Sequence, residues 1–373
     1  MQTTVVTNGH KASGPLTDLF FDLIQCSIGK KERLSRTPDA QEWAKLFDIA
    51  QMQTLVGITY SGIERLPKEQ HPSKQILLGW HTSTELIKER NIELNRMSIA
   101  ISGKFKELGF RNTLLKGQGL AQLYPTPNLR TPGDIDIWLD GGCDKILGYV
   151  RKCFPKCKPT YHHVDFPVKK ETGIEVHFTP SWMHSPIRNR RAQEFFNSNA
   201  VAQFRNDITT PQGSFPSTTL SFNRVYILLH IYRHLFQEGI GLRQLLDYYF
   251  VLEKGFSQNE RTECTKTLKK LGLTGFAAAA TYILQEKFGL EREKHLVPPD
   301  KRRGEFLLRE VMTAGNFGKY DCRYPLVSKD NEFKHFLNSM QRTARLILQY
   351  PSETLWSPYF KIWHYFWRKR HKV

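Results

Sequence analysis

Apolar residues recur at spacings of three and four from Leu16 to about Phe110, in LTDLFFDLIQ, DAQEWAKLFDIAQMQTL and WHTSTELIKERNIELNRMSIAISGKFKEL. That spacing lines up one face of a helix. Asp39 and Thr82 stand where N-caps are expected, and the Leu66-Pro67 and His71-Pro72 steps predict a break before the third helix. The pattern changes at Phe110. FRNTLLKG predicts a short strand ending in a glycine turn, GLAQLY a helix opening, and PTPNLRTPG a loop. DIDIWLD alternates, which puts Asp134 and Asp136 on one face of a strand and Ile135, Ile137 and Leu139 on the other. After a helix in DKILGYVRKC, the runs YHHVDFPV and GIEVHFTP predict a hairpin joined through KKETG, with Glu175 and His177 sharing a face. Helices return after about Thr218, in FNRVYILLHIYRHLF, GLRQLLDYYFVLEK, the Leu268 to Phe288 stretch and the C-terminal quarter. This order predicts an α+β fold with a helical region at 1–109, a small strand-rich core at 110–217 and a second helical region at 218–373.

Charge narrows the partners. Lys and Arg number 54 against 36 Asp and Glu, a net +18, which favours nucleotides, nucleic acid or acidic lipid without choosing among them. The longest run of small and apolar residues, TGFAAAATYIL, is too short to cross a bilayer, and MQTTVVTNGHKASG lacks the apolar stretch of a signal peptide. The expectation is a cytoplasmic protein with no integral membrane segment, its six cysteines free thiols. Cys153, Cys157, His162 and His163 form C-x3-C-x4-H-H, which lacks the usual knuckle of a zinc site.

Two carboxylates two residues apart on a strand lie roughly 6 to 7 Å from each other. Unpaired, they repel; a divalent cation reverses that cost, and oxygen ligands beside a nucleotide phosphate suit magnesium. The hairpin could bring Glu175 alongside, enough for two metals. The plain alternative is a half-exposed strand whose aspartates face water. At Lys116-Gly117-Gln118-Gly119, glycines ahead of a helix let backbone N–H groups approach phosphate, though neither GxxxxGK[ST] nor GxGxxG is present.

Together these residues resemble the nucleotidyltransferase fold of the DNA polymerase β superfamily. More specifically, Lys116-Gly117, Leu123-Tyr124-Pro125, Arg130-Thr131-Pro132-Gly133-Asp134-Ile135-Asp136, Glu175-Val176-His177-Phe178 and HIYRHLFQEGIGLRQLLD resemble the uncharacterised nucleotidyltransferase family. The resemblance covers roughly residues 16 to 260. It implies a small mixed sheet as catalytic core and magnesium-dependent transfer of a nucleotidyl group from a nucleoside triphosphate, with manganese also fitting. Asp134, Asp136 and Glu175 would hold the metal, and Lys116 and Gly117 would line the phosphates. In the superfamily Gly-Ser or Gly-Gly is usual at the turn, the serine touching a phosphate; here Gln118 follows Gly117 and is the nucleotide-binding candidate at that place.

Arg130, four residues before Asp134, is a candidate for the triphosphate against a solvated loop arginine. His177 either orients Glu175, hydrogen-bonds the nucleotide substrate, or is a satisfied structural histidine. His163 and Asp165 are cross-strand candidates, and His234, Arg243 and Asp247 candidates for the helical wall of a nucleotide cleft. His230 and His234 lack the glutamate of HExxH, so metal ligation is not expected there. In the C-terminal YFKIWHYFWRKRHKV, Trp363, Phe366 and Trp367 adjoin Arg368, Lys369, Arg370 and Lys372. Such a segment lies on an anionic membrane, tracks nucleic acid, or docks as a terminal helix. Two other functions compete: an Asp-x-Asp glycosyltransferase using a nucleotide sugar, and a non-catalytic nucleotide- or RNA-binding module. The acceptor, the base of the triphosphate and the oligomeric state are not encoded legibly.

Overall fold

The structure, a computed structural model, describes residues 13–168, 172–324 and 332–371. Most of the KKETG turn (169–171), the first twelve residues and Lys372 lie outside them. Four helices come first: α1 (Pro15–Ser27), α2 (Ala40–Met52), α3 (Val56–Arg65) and α4 (Lys74–Glu107). Asp39 caps α2 as expected: its side chain accepts the Glu42 N–H at 2.8 Å, and the Glu42 side chain accepts the Asp39 N–H at 3.1 Å. Thr82 is no cap. α4 starts eight residues earlier, as soon as Pro72 is passed, because nothing in KQILLGWH breaks a helix. At 34 residues this helix is about 50 Å long. Trp80, in its first half, joins a large helical core, while Leu94, Ile101 and Phe105 underlie the sheet.

The middle of the chain contains β1 (Asn112–Leu115), α5 (Gly117–Ala121), β2 (Ile135–Leu139), α6 (Gly142–Cys153), β3 (His163–Asp165) and β4 (Ile174–His177). The 125–133 loop contains one 3-10 turn, Pro127–Leu129. The strands form a sheet in the order β1-β2-β4-β3, with β2 and β4 parallel and the other pairs antiparallel. The chain is α+β with a small mixed sheet. Ile135, Ile137, Leu139, Ile174 and Val176 pack on one side against α4 and Ile146, Leu147 and Val150 of α6. On the other, Trp138 meets the rings of Phe204 and Phe222. β2 is therefore buried on both faces rather than half exposed.

Next come α7 (Pro186–Gln203), the hairpin β5 (Asp207–Thr210) and β6 (Gly213–Pro216), and then α8 (Leu220–Gln237), α9 (Leu242–Glu253), α10 (Gln258–Leu271), α11 (Thr274–Phe288), α12 (Lys301–Ala314), α13 (Glu332–Arg345) and α14 (Pro351–Arg370). Gly272, with φ 68°, divides the Leu268 to Phe288 stretch into two helices. α8 and α9 are the centre of the helical core, buried from Phe222 to Phe236 and from Leu242 to Leu252. Polar side chains on such helices must find partners inside the protein. Among the described residues no helix is long and apolar enough to cross a membrane.

Candidate active site

The strand register builds the site. Asp136 lies opposite Glu175 on β4, and Glu175 opposite Asp165 on β3; the next row pairs Trp138 with His177 and His177 with His163. Alternation turns Asp136, Glu175, His177 and His163 toward α8. Between this sheet face and α8 and α9 lies a cleft of about 500 Å³, bordered by Lys116, Asp134, Asp136, Glu175, Arg233 and Arg243 among others. A larger cavity of about 640 Å³ between α7 and α10 has only dispersed surface charges.

Lys116 enters with φ 56° and Gly117 with φ 40°, a turn in which the lysine carries backbone strain. Its Nζ reaches Asp136 Oδ1 at 3.0 Å. His177 donates from Nε2 to the same oxygen at 2.9 Å and lies 3.3 Å from Glu175 Oε2. Burial alone would raise the Asp136 carboxyl, but Lys116 and His177 outweigh it and hold the group well below the usual carboxylate range. Burial likewise disfavours the His177 cation, yet its bonds to Asp136 and Glu175 push it upward. Asp134 is exposed at the rim, where partial desolvation and repulsion from Asp136 and Glu175 raise it.

Arg233 organises the helical wall. Its guanidinium donates to His162 Nε2 at 3.0 Å and to His234 Nε2 at 3.1 Å, and His234 donates from Nδ1 to Glu238 at 3.2 Å. Arginine has no acceptor, so both histidines present a bare nitrogen to it and stay neutral. Burial, then Arg233, brings His234 down to about 4. His163 falls to about 4 through burial, against the pull of Glu175.

Two expected phosphate contacts take other partners. The Gln118 side chain is buried and turned from the cleft, donating to Asn95 Oδ1 at 2.7 Å on α4. Arg130 borders the cleft but is neither solvated nor free: Nε and Nη2 donate to Asp247 at 2.7 and 2.8 Å. Asp247 also accepts Tyr124 Oη at 2.7 Å, with Arg243 at 3.8 Å. Arg243 itself donates to Thr54 Oγ1 at 3.2 Å.

Oxygen and nitrogen ligand atoms converge in three groups among the described residues: Asp136, Glu175 and His177; His163, Asp165 and Glu175; and His162, His163 and His177. Cys153 and Cys157 join none of them. His230 is buried on α8 at the cleft, its ring 4.3 Å from that of His234. Arg233, Phe317, His364 and Trp182 also border the cleft without having been singled out from sequence. Arg233 had a signal, its place beside His234 on a helix with no exposed face; the other three are remote in sequence and had none.

Gly173 is a further case. A Cβ there would stand 2.8 Å from Asp134 Oδ1 and 3.0 Å from Cγ. Gly173→Ala is expected to displace the Asp134 carboxylate and lower turnover about 10- to 100-fold, with the melting temperature nearly unchanged. Steady-state kinetics beside a thermal melt checks this, and unchanged kinetics contradicts it.

Residues 39–289 match the family described as uncharacterised nucleotidyltransferase. No curated protein matches the chain. Among solved structures, an antigenic nucleotidyltransferase-like protein from Paracoccidioides brasiliensis is similar at 10% identity and a TM-score of 0.32, over 55% of this chain and 94% of that one. On the family match, which takes in the glycine turn, the Asp-x-Asp strand, Glu175 and both wall helices, this chain belongs to the uncharacterised nucleotidyltransferase family, a family of transferases.

Proposed function

We propose that the cleft binds a nucleoside triphosphate with magnesium and transfers its nucleoside monophosphate to an acceptor, releasing pyrophosphate. The observation that carries this reading is the register pairing of Asp136 with Glu175, with Asp134 at the rim and Lys116 on Asp136. The donor set fits the ion: Asp136 and Glu175 converge and are hard oxygen ligands of the kind magnesium takes, with Asp134 at the rim outside the converging groups. When bound, the metal neutralises phosphate charge and activates the attacking and leaving oxygens, two ions sharing these tasks in the full form of the reading.

The chain's own residues do the rest. Lys116 is placed to pass from Asp136 to a phosphate oxygen, and Gly117 lets the backbone come close to it. His177 holds the Asp136 and Glu175 carboxylates at a fixed separation. Arg233 keeps His162 and His234 neutral, so the helical wall offers directed hydrogen bonds rather than added charge. Arg243 is the wall cation nearest Asp247 and completes the phosphate side. The acceptor's nucleophile attacks the α-phosphorus, the bond to the β-bridging oxygen breaks, and the acceptor's proton passes to solvent. In this reading residues 110–217 are the catalytic core between helical regions 1–109 and 218–373, and the site works in the cytoplasm, where triphosphate and magnesium are supplied.

One observation favours a binding module instead: Gln118 brings no side-chain donor to the phosphates. Pyrophosphate release separates the two. Magnesium-dependent release from one of the four triphosphates, in the presence of candidate acceptors, supports transfer; binding that is steeply salt-dependent and indifferent to magnesium, with no release across sugar phosphates, peptides and RNA ends, supports the module.

A further inference from the structure

α14 has two unlike faces. One is docked: Glu353 accepts the His184 N–H at 2.7 Å, Phe360 stacks on Trp182 at 4.0 Å, and His364 accepts the Tyr161 N–H at 3.2 Å. The other is apolar and faces solvent. Leu355, Trp356, Tyr359, Ile362, Trp363 and Phe366 recur at helical spacing as one stripe. Leu355, Tyr359 and Phe366 are 59%, 67% and 62% exposed. Of the eighteen large apolar side chains exposed among the described residues, seven lie on α14, so this is a concentrated patch and not scatter.

Charge identifies the occupant. After the buried Glu353, the described part of α14 has no acidic residue, and it ends in Arg368, Lys369 and Arg370. The whole chain adds a net +18. Trp and Tyr side chains, apolar with one polar edge, suit the boundary between lipid headgroups and acyl chains, and a basic end suits anionic headgroups. A soluble protein partner would need the apolar stripe alone; the acid-free, basic-ended stripe complements an anionic bilayer.

We infer that this face of α14 docks on an anionic lipid surface, the stripe entering the headgroup boundary and Arg368, Lys369 and Arg370 meeting the phosphates. His364 borders the cleft from the docked face of the same helix, so the lipid-facing stripe and the cleft lie on different sides of α14. The inference does not depend on the reaction proposed above.

The test is co-sedimentation of the full chain with phosphatidylcholine vesicles prepared with and without phosphatidylglycerol. Binding to the anionic vesicles alone is expected, weakening with salt. Replacing Arg368, Lys369 and Arg370 by glutamine is expected to weaken it about five-fold per charge removed. Ile362→Asp with Phe366→Asp is expected to abolish it; both side chains face solvent, so circular dichroism should not change. The charge variant decides the matter should the aspartate variant misfold. No binding of the wild type to anionic vesicles, or binding unchanged in the charge variant, overturns the inference. So does a lipid-free dimer that the aspartate variant dissociates.

Discussion

Asp136→Asn is expected to lower magnesium-dependent triphosphate turnover by at least about 100-fold, the scale on which removal of one preorganised charge contact is felt in transfer chemistry. The amide keeps the volume and one acceptor oxygen, so the strand still packs. What it loses is the negative charge between Lys116 Nζ at 3.0 Å and His177 Nε2 at 2.9 Å. Without that charge Lys116 is no longer held over the cleft, His177 loses one of the two anions that push it upward, and a ligand is lost to any metal there. Glu263→Gln, in the other cavity, is the control and should leave turnover unchanged. Pyrophosphate release by both variants, with a melt of each, checks the expectation. Wild-type turnover in Asp136→Asn would sink the role given to that carboxylate.

The largest stability effect belongs to Asp247→Ala. Arg130 and Asp247 are both buried, joined by two bonds of 2.7 and 2.8 Å, and Tyr124 adds a third at 2.7 Å. Removing the carboxylate strands a guanidinium in the core, which costs about 3–5 kcal/mol. Replacing both charges, Arg130→Met with Asp247→Leu, should recover part of that loss, because the Arg130 guanidinium is no longer stranded while Arg243 and Tyr124 still lose their shared acceptor. The pair also predicts a pH dependence. Burial alone would raise Asp247, but Arg130 outweighs it and the folded carboxyl lies below its ordinary value. A depressed folded pKa gives stability that is fully present above the unfolded value of about 4 and is lost as pH falls through the folded one. Urea unfolding across the acid range should therefore show a decline in wild type that Asp247→Ala flattens. A loss under about 1 kcal/mol would mean that water reaches the pair. Arg130 then serves the site as a clasp: it ties the loop before Asp134 to α9, so damage here should also loosen the rim.

What could be read from the sequence was whatever repeats with a short period. Strand alternation made the shared face of Asp134 and Asp136 and that of Glu175 and His177 legible, because side chains on a strand have no other choice. The glycine turn at Gly117 was legible because a positive φ needs it. α7 was not, since only Ala192, Phe196 and Gln203 of its residues are buried and no stripe emerges. Nor was the start of α4, whose first turns are exposed and so leave Thr82 looking like a beginning. Partners distant in sequence were invisible on principle. Nothing near Arg130 announces Asp247, 117 residues on, and nothing near Gln118 announces Asn95 on a helix face before it. The apolar stripe of α14 was visible as composition, but which of its faces docks is decided by Trp182, Tyr161 and His184 far upstream.

Calorimetric titration of each of the four nucleoside triphosphates, with and without magnesium, on the wild type and on Asp134→Asn/Asp136→Asn, tests the central claim most directly. Binding of at least one triphosphate that requires the metal and disappears in the double variant, with its melt intact, is the expected result. Binding that is indifferent to both the metal and the two carboxylates would contradict it.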